Sequence, residues 1–281
     1  MINVYTAYRS AIDELNRSGA ESAEFDAQVL IEKSFGLNKT QLLMNTNMPA
    51  DENSLRKFND LVQRRCSGEP LQYIVGEWGF YDLNFSVGKG VLIPRPESEI
   101  IAELAIDFVR KTQAKTVFDL CTGSGCIGLT IASHCPSCRV YCVDFSEDAL
   151  YYARLNMKKN RIYNAEIIKG DIRRGFKFFN LPVPDIIVSN PPYIPTYEIA
   201  SLQREVLQEP KDALDGGIDG LDFYSVLSAS WFPYIAQNGL LAMECGENQA
   251  TSVLRFFLNN ATKAKIIKDF NGIERTVVIK K

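Results

Sequence analysis

The chain has 281 residues, 46% of them hydrophobic, with a net charge of −3 and an isoelectric point near 5.5. That is enough for one large α/β domain plus a small one, and no global basic charge advertises a nucleic-acid polyanion as partner. A single histidine, His134, leaves no pair for an HExxH zinc site and speaks against histidine triads and histidine general bases.

No apolar run approaches the ~20 residues needed to cross a bilayer. The start, Met1-Ile2-Asn3-Val4-Tyr5, lacks the basic-then-apolar layout of a signal peptide. A cytoplasmic protein with no membrane partner is the expectation. The seven cysteines agree with it: their number is odd, their spacing shows no disulfide framework, and most fall inside predicted strands or helices. His134-Cys135-Pro136-Ser137-Cys138, with Cys142 nearby, is one CxxC without a second pair, so no metal is expected.

In chain order, residues 1–75 read as a helical N-terminal domain. Tyr5, Tyr8, Ile12 and Leu15 share one helical face, Phe25, Val29 and Leu30 follow Ser22 as a plausible N-cap, and Leu55, Phe58, Leu61 and Val62 form a third stripe. Gly19, Gly36 and Gly68 stand where C-caps would stop these segments, and a short helix starts at Asn38 with Gln41 three residues on. Eight basic and ten acidic residues lie in this stretch, so it is no nucleic-acid clamp. Residues 76–97 read as a β-hairpin linker, in which Tyr81, Leu83, Phe85 and Val87 alternate with polar residues. Its end holds Arg95 extended between Pro94 and Pro96, which suggests a substrate or interdomain contact.

From residue 98 to 281 strands and helices alternate, which predicts a doubly wound, mainly parallel sheet with helices on both faces. The β candidates are residues 116–121, 139–143, 165–169, 185–189, 240–245, 265–267 and 275–279. Helices are expected from about Gly125, Ser146, Leu221 and Glu247.

Three strand ends carry the candidate chemistry. After the first, Cys121-Thr122-Gly123-Ser124-Gly125 is a glycine turn; Gly123 and Gly125 let the backbone pass under a ligand, and Gly128 permits close helix-on-strand packing. Asp144 ends the second strand, placed to accept from both hydroxyls of a ribose, a pattern that fits NAD or S-adenosylmethionine alike. Asp171, after the third, can accept from an adenine amino group while Ile172 covers the ring. Both aspartates can instead serve as helix N-caps, the lesser reading.

The fourth strand ends in Ser189-Asn190-Pro191-Pro192-Tyr193. The Asn190 side-chain oxygen and the Pro191 carbonyl can each accept one hydrogen of a planar –NH2 group, and neither proline adds a competing N–H. Pro192 biases Pro191 away from the α region, so its carbonyl is aimed, and Tyr193 offers an aromatic face. Amino-group methylation fits this tip better than hydride transfer.

With these residues assembled, the sequence resembles the release-factor glutamine N5-methyltransferases, within the class I S-adenosylmethionine-dependent methyltransferases. Besides the glycine loop and Asn190-Pro191-Pro192-Tyr193, the resemblance rests on residues 91–99, Val-Leu-Ile-Pro-Arg-Pro-Glu-Ser-Glu, on Glu209-Pro210, and on residues 213–221. It implies a Rossmann-like sheet of seven strands, a small helical N-terminal domain for substrate recognition, and a hairpin joining the two. It further implies methylation of the glutamine in the Gly-Gly-Gln loop of peptide-chain release factors. Cofactor contacts would fall on Cys121 to Gly125, Asp144, Ile172 and Asn190, and substrate contacts on Asn190, Pro191, Pro192 and Tyr193; the residues themselves add Asp171 to the cofactor set and Arg95 to the substrate set, with catalysis on Asn190, Pro191 and Tyr193. Cys121 stands where the family has glycine, and Ile172 where an aromatic residue can cover the adenine.

A monomer without direct nucleic-acid contact is expected. A ribosomal-protein glutamine methyltransferase, a DNA or RNA adenine-N6 methyltransferase and a nucleotide-sensing module are the alternatives. The acidic N-terminal domain and the lack of a target-reading domain speak against the nucleic-acid reading.

Overall fold

The three- and four-residue spacing of apolar side chains in α1 (Val4–Ser18) buries Val4, Ala7, Tyr8, Ala11 and Leu15 along one stripe. The structure is a computed structural model that describes residues 2–281. α2 (Ala23–Phe35), α3 (Lys39–Met44), α4 (Glu52–Cys66) and α5 (Leu71–Val75) complete the helical part. Local capping sets their ends. Gly19 and Gly36 take the left-handed conformation at the ends of α1 and α2, and Asn38 and Gln41 form a reciprocal capping box on α3. Ser22 occupies the N-cap of α2, but its side chain makes no cap hydrogen bond.

The described residues divide into two compact units. The first takes residues 2–76 together with 203–208, and the second residues 77–202 with 209–281. Within the first, Arg65 is 5% exposed; its Nε donates to Asp26 Oδ2 at 2.7 Å and its Nη2 to Glu205. Gln203 donates to Glu21 at 3.0 Å and Arg204 to the Ser67 carbonyl, so residues 203–205 are tied to the helices.

The second unit begins with an antiparallel hairpin, β1 (Glu77–Phe80) and β2 (Leu83–Ser86). Tyr81, expected to open a strand, instead sits in the turn at φ 58°. Alternation alone cannot tell a strand residue from a turn residue beside it. Phe80 and Phe85 lie in the same buried cluster as residues of α6 (Glu99–Thr112) and the helix that follows it, so the hairpin is part of this unit's core.

Alternation of β3 (Thr116–Leu120), α7 (Cys126–His134), β4 (Arg139–Asp144), α8 (Glu147–Lys159), β5 (Ala165–Lys169), β6 (Ile186–Ser189), α9 (Asp222–Ser230), β7 (Leu240–Glu244), α10 (Ala250–Arg255), β8 (Lys263–Lys268) and β9 (Glu274–Lys280) builds a seven-stranded sheet. Its order is β5-β4-β3-β6-β7-β9-β8; β3 to β7 run parallel, and β9 pairs antiparallel with both β7 and β8. Period-two burial separates two cores: Val117, Ile186, Val188, Leu240 and Ala242 face α6 and α7, while Phe118, Leu120, Ile187, Leu241 and Met243 face α9 and α10. The doubly wound sheet expected from the sequence is the fold observed. Among the described residues no helix is long and apolar enough to cross a membrane.

Candidate functional site

The order reverses between β3 and β6, and open α/β sheets bind ligands at such a switch point, beyond the carboxyl ends of the strands. A cleft opens there, and Cys121, Gly123, Asp144, Asp171, Ile172 and Asn190 all line it.

The glycine turn is held from below by side chains. Asp144 Oδ2 accepts from the Gly123 N–H at 2.8 Å and Oδ1 from the Ser146 N–H at 3.0 Å. Burial pushes the Asp144 carboxyl above its ordinary range, and these backbone donors pull it back. Gly123 has φ 56°, and a Cβ there would meet nothing within 4 Å, so its backbone is bare. Gly128 shows the opposite: a Cβ would lie 2.7 Å from both Asp119 Oδ2 and Cys142 Sγ, so only glycine lets α7 close on the sheet. Cys121 adopts φ 60°, the left-handed region that glycine occupies freely and other L-residues only at a cost.

Asp171 caps the short turn of residues 172–174 and also reaches the cleft. Its carboxyl accepts the Arg173 Nε at 2.9 Å, and that bond holds it below its ordinary range. Ile172 is 3% exposed, its carbonyl fixed by the Trp231 indole N–H at 2.8 Å.

At the β6 tip, Asn190 Nδ2 donates to Ser98 Oγ at 3.1 Å. Ser98 in turn donates to Glu244 Oε2, and the Tyr193 hydroxyl donates to Glu244 Oε1 at 3.2 Å. Burial pushes the Glu244 carboxyl up, while its two hydroxyl donors act the other way. Asn190 and Pro192 line the cleft; Pro191 and Tyr193 are not part of its wall. Among the described residues the Pro191 carbonyl accepts no hydrogen bond. Arg95 lines the cleft with its guanidinium on the buried carboxylate of Glu209, whose other oxygen accepts the Ile93 N–H at 2.9 Å.

Three polar residues of this region were not singled out in the sequence. Ser98 and Glu244 are 1% and 2% exposed. Asn156, fully buried, takes the Ser86 N–H at 2.6 Å and donates to the Ser124 carbonyl at 3.0 Å, joining the hairpin to the glycine turn. The available signals were a glutamate closing the apolar run Leu240–Met243 and an asparagine on the inner stripe of α8. The cysteine cluster does not join this site: Cys135, Cys138 and Cys142 are buried thiols, with Cys138 donating to the Cys135 carbonyl at 3.0 Å.

A doubly wound sheet with a glycine turn, acidic strand ends and an amide-bearing fourth tip defines a class I S-adenosylmethionine-dependent methyltransferase domain. The fold agrees with solved structures: the hMettl16 catalytic domain superposes with a TM-score of 0.57 at 12% identity, covering 70% of this chain and 75% of that one. A methyltransferase from Pyrococcus furiosus gives 0.51 at 19% identity over 71% and 89% of the two chains. The PrmC N-terminal domain family matches residues 6–76, and the Methyltransferase small domain family residues 98–218. The release factor glutamine methyltransferase of Thermodesulfovibrio yellowstonii is 37% identical over 91% of this chain and 92% of its own length. That of Clostridium acetobutylicum is 34% identical over 99% and 96%. The chain belongs to the release factor glutamine methyltransferase family.

Proposed function

We propose that this chain transfers a methyl group from S-adenosylmethionine to the side-chain amide nitrogen (N5) of the glutamine in the Gly-Gly-Gln motif of peptide-chain release factors. The observation that carries the reading is the orientation of Asn190, a residue of the cleft wall: its Nδ2 donates to Ser98 Oγ at 3.1 Å, so Oδ1, on the other side of the same planar group, keeps its lone pairs for an incoming amino group.

The residues present fit the cofactor. Each Asp144 oxygen has taken one backbone N–H and keeps a lone pair for a ribose hydroxyl. Asp171 is an acceptor for an exocyclic amino group, Ile172 and Phe223 give the cleft apolar wall, and the bare backbone at Gly123 allows close approach. Cys121, Thr122, Ser124 and Gly125 complete the turn beneath it. When bound, S-adenosylmethionine supplies an electrophilic methyl group whose departure leaves a neutral thioether.

The chain's own contribution is to make a poor nucleophile attack. An amide nitrogen has its lone pair delocalised into the carbonyl. Acceptance of its two hydrogens by Asn190 Oδ1 and the Pro191 carbonyl pushes electron density back onto nitrogen and fixes its line of approach; as the N–CH3 bond forms, one of those hydrogens leaves as a proton to solvent. Positioning of this kind is worth several kcal/mol as effective molarity. Tyr193, its hydroxyl on Glu244, gives the tip a rigid aromatic flank. Arg95 donates to Glu209 through one nitrogen and has further N–H groups to offer the backbone of an incoming loop.

In this reading residues 1–75 recognise the protein substrate, residues 76–97 link, and residues 98–281 carry out the transfer. The enzyme works as a cytoplasmic monomer without direct nucleic-acid contact, in keeping with its net charge of −3. The test is methyl transfer with labelled cofactor. Purified release factors should take up label, the same factors with the Gly-Gly-Gln glutamine replaced should not, and plasmid DNA and bulk RNA should stay unlabelled. Label in DNA adenine, or in a ribosomal protein alone, overturns the substrate assignment.

A further inference from the structure

We propose that Ser98 and Glu244 are positioning residues that set which way the Asn190 carboxamide faces. A carboxamide presents an oxygen on one side and an –NH2 on the other in nearly the same shape, so packing alone does not choose between the two orientations. Hydrogen-bond polarity does. A carboxylate only accepts, and both oxygens of Glu244 are taken by hydroxyls, Oε2 by Ser98 and Oε1 by Tyr193. Each hydroxyl has a single proton. With its own spent on Glu244, Ser98 Oγ has only lone pairs left for its neighbour, and the Asn190 Nδ2 lies 3.1 Å away.

The reversed carboxamide would set oxygen against oxygen at that distance, in a place where Ser98 is 1% and Glu244 2% exposed and no bulk solvent screens the clash. The polarity fixed at Glu244 thus runs through Ser98 to Asn190 and directs Oδ1 away from Ser98. The elements that meet here are far apart in sequence: the turn before α6, the tip of β6 and the end of β7.

The inference rests on the methyl-transfer reading, because an acceptor facing the cleft matters only if a substrate –NH2 is to be held there. Ser98→Ala removes the partner of Nδ2. Glu244→Gln lets position 244 donate to Ser98, whose proton is then free to point at Asn190 and favour the wrong face. Both variants should lose kcat by about tenfold or more, the size expected for one misdirected hydrogen bond, with KM little changed. Ser98→Thr keeps the hydroxyl and should recover most of the Ser98→Ala loss.

Calorimetric affinity for S-adenosylmethionine should stay within about twofold in all three, which separates misdirection from a damaged fold. The Asn190 side-chain –NH2 of the isotope-labelled full-length protein should show slowed hydrogen exchange in the wild type and Ser98→Thr and fast exchange in Ser98→Ala. That measurement needs no methyl acceptor, so it decides the positioning role even if release factors prove not to be the substrate. Unchanged exchange at Asn190, or a loss confined to KM or cofactor affinity, overturns the proposal.

Discussion

At Cys121 the backbone takes φ 60°, a conformation that costs a non-glycine residue roughly 1–2 kcal/mol. Its thiol also packs against the inner core, where burial pushes its pKa well up. Cys121→Gly trades the strain for the lost contact, and the two should nearly cancel, leaving unfolding free energy within about 1 kcal/mol of wild type. Cys121→Val adds a branch where φ is positive and should cost about 2 kcal/mol; urea unfolding of the pair decides it, and equal stability of the two variants would show that the strain is absent. Asp119 presents a different cost. Fully buried, it accepts from Thr122 Oγ1 and from the Gly128 N–H at 2.9 Å through Oδ2, while Oδ1 has no partner among the described residues, and burial pushes its carboxyl up to about 7. The unfolded chain titrates near ~3.9. Between those values the folded chain holds a proton that the unfolded chain has released, so this group's stabilisation is complete below about 4 and is lost as pH rises through about 7. Asp119→Asn removes the titration; its unfolding free energy relative to wild type should therefore rise between pH 5 and pH 8. A wild-type-minus-variant difference that is flat with pH refutes the coupling.

At the level of elements, the helix–strand contact between α7 and β3 depends on the missing side chain of Gly128. A methyl there would meet Asp119 Oδ2 and Cys142 Sγ at 2.7 Å each, both held in the core, so Gly128→Ala should cost about 1–3 kcal/mol by overpacking. Thermal unfolding of this variant beside Gly123→Ala, whose added methyl meets open space but whose φ is positive, separates crowding from backbone strain. An unchanged melting temperature in Gly128→Ala would show that the contact gives way to a methyl. Gly128 was legible because the distance from strand to helix is written into the glycine spacing, and β6 and β7 were legible because unbroken apolar runs fit strands buried on both faces. The Tyr81 turn was not, since a tyrosine at positive φ leaves no mark in the hydrophobic pattern. Ser98 and Glu244 were hidden for another reason. Their hydrogen bond spans 146 positions, and only the sheet order puts the end of β7 beside the turn before α6.

For the molecule as a whole, the two units should respond to different perturbations. Arg65→Met leaves Asp26 buried at 3% exposure without its cation, and breaking a buried pair in this way costs about 3–5 kcal/mol. Every residue lining the cleft lies in the second unit, so cofactor affinity should be unchanged. S-adenosylmethionine at a hundred times its Kd should stabilise that unit by about 2.7 kcal/mol. The variant should therefore unfold in urea in two steps, only the later one moved by cofactor; a single transition shifted as a whole would show that the units melt together. The return of residues 203–208 to the helical unit also bears on how the chain is made. Synthesis delivers the amino end first, and domains ordinarily fold as they emerge. Here the five helices are complete by Val75, yet Glu205, the second carboxylate on the buried guanidinium, is translated 140 residues after Arg65. The helical unit thus waits for most of the sheet to be translated before its last ion pair can close, and an arrest before residue 203 would leave a nascent bundle with Arg65 held by the Asp26 carboxylate and the Glu69 carbonyl, without its second carboxylate.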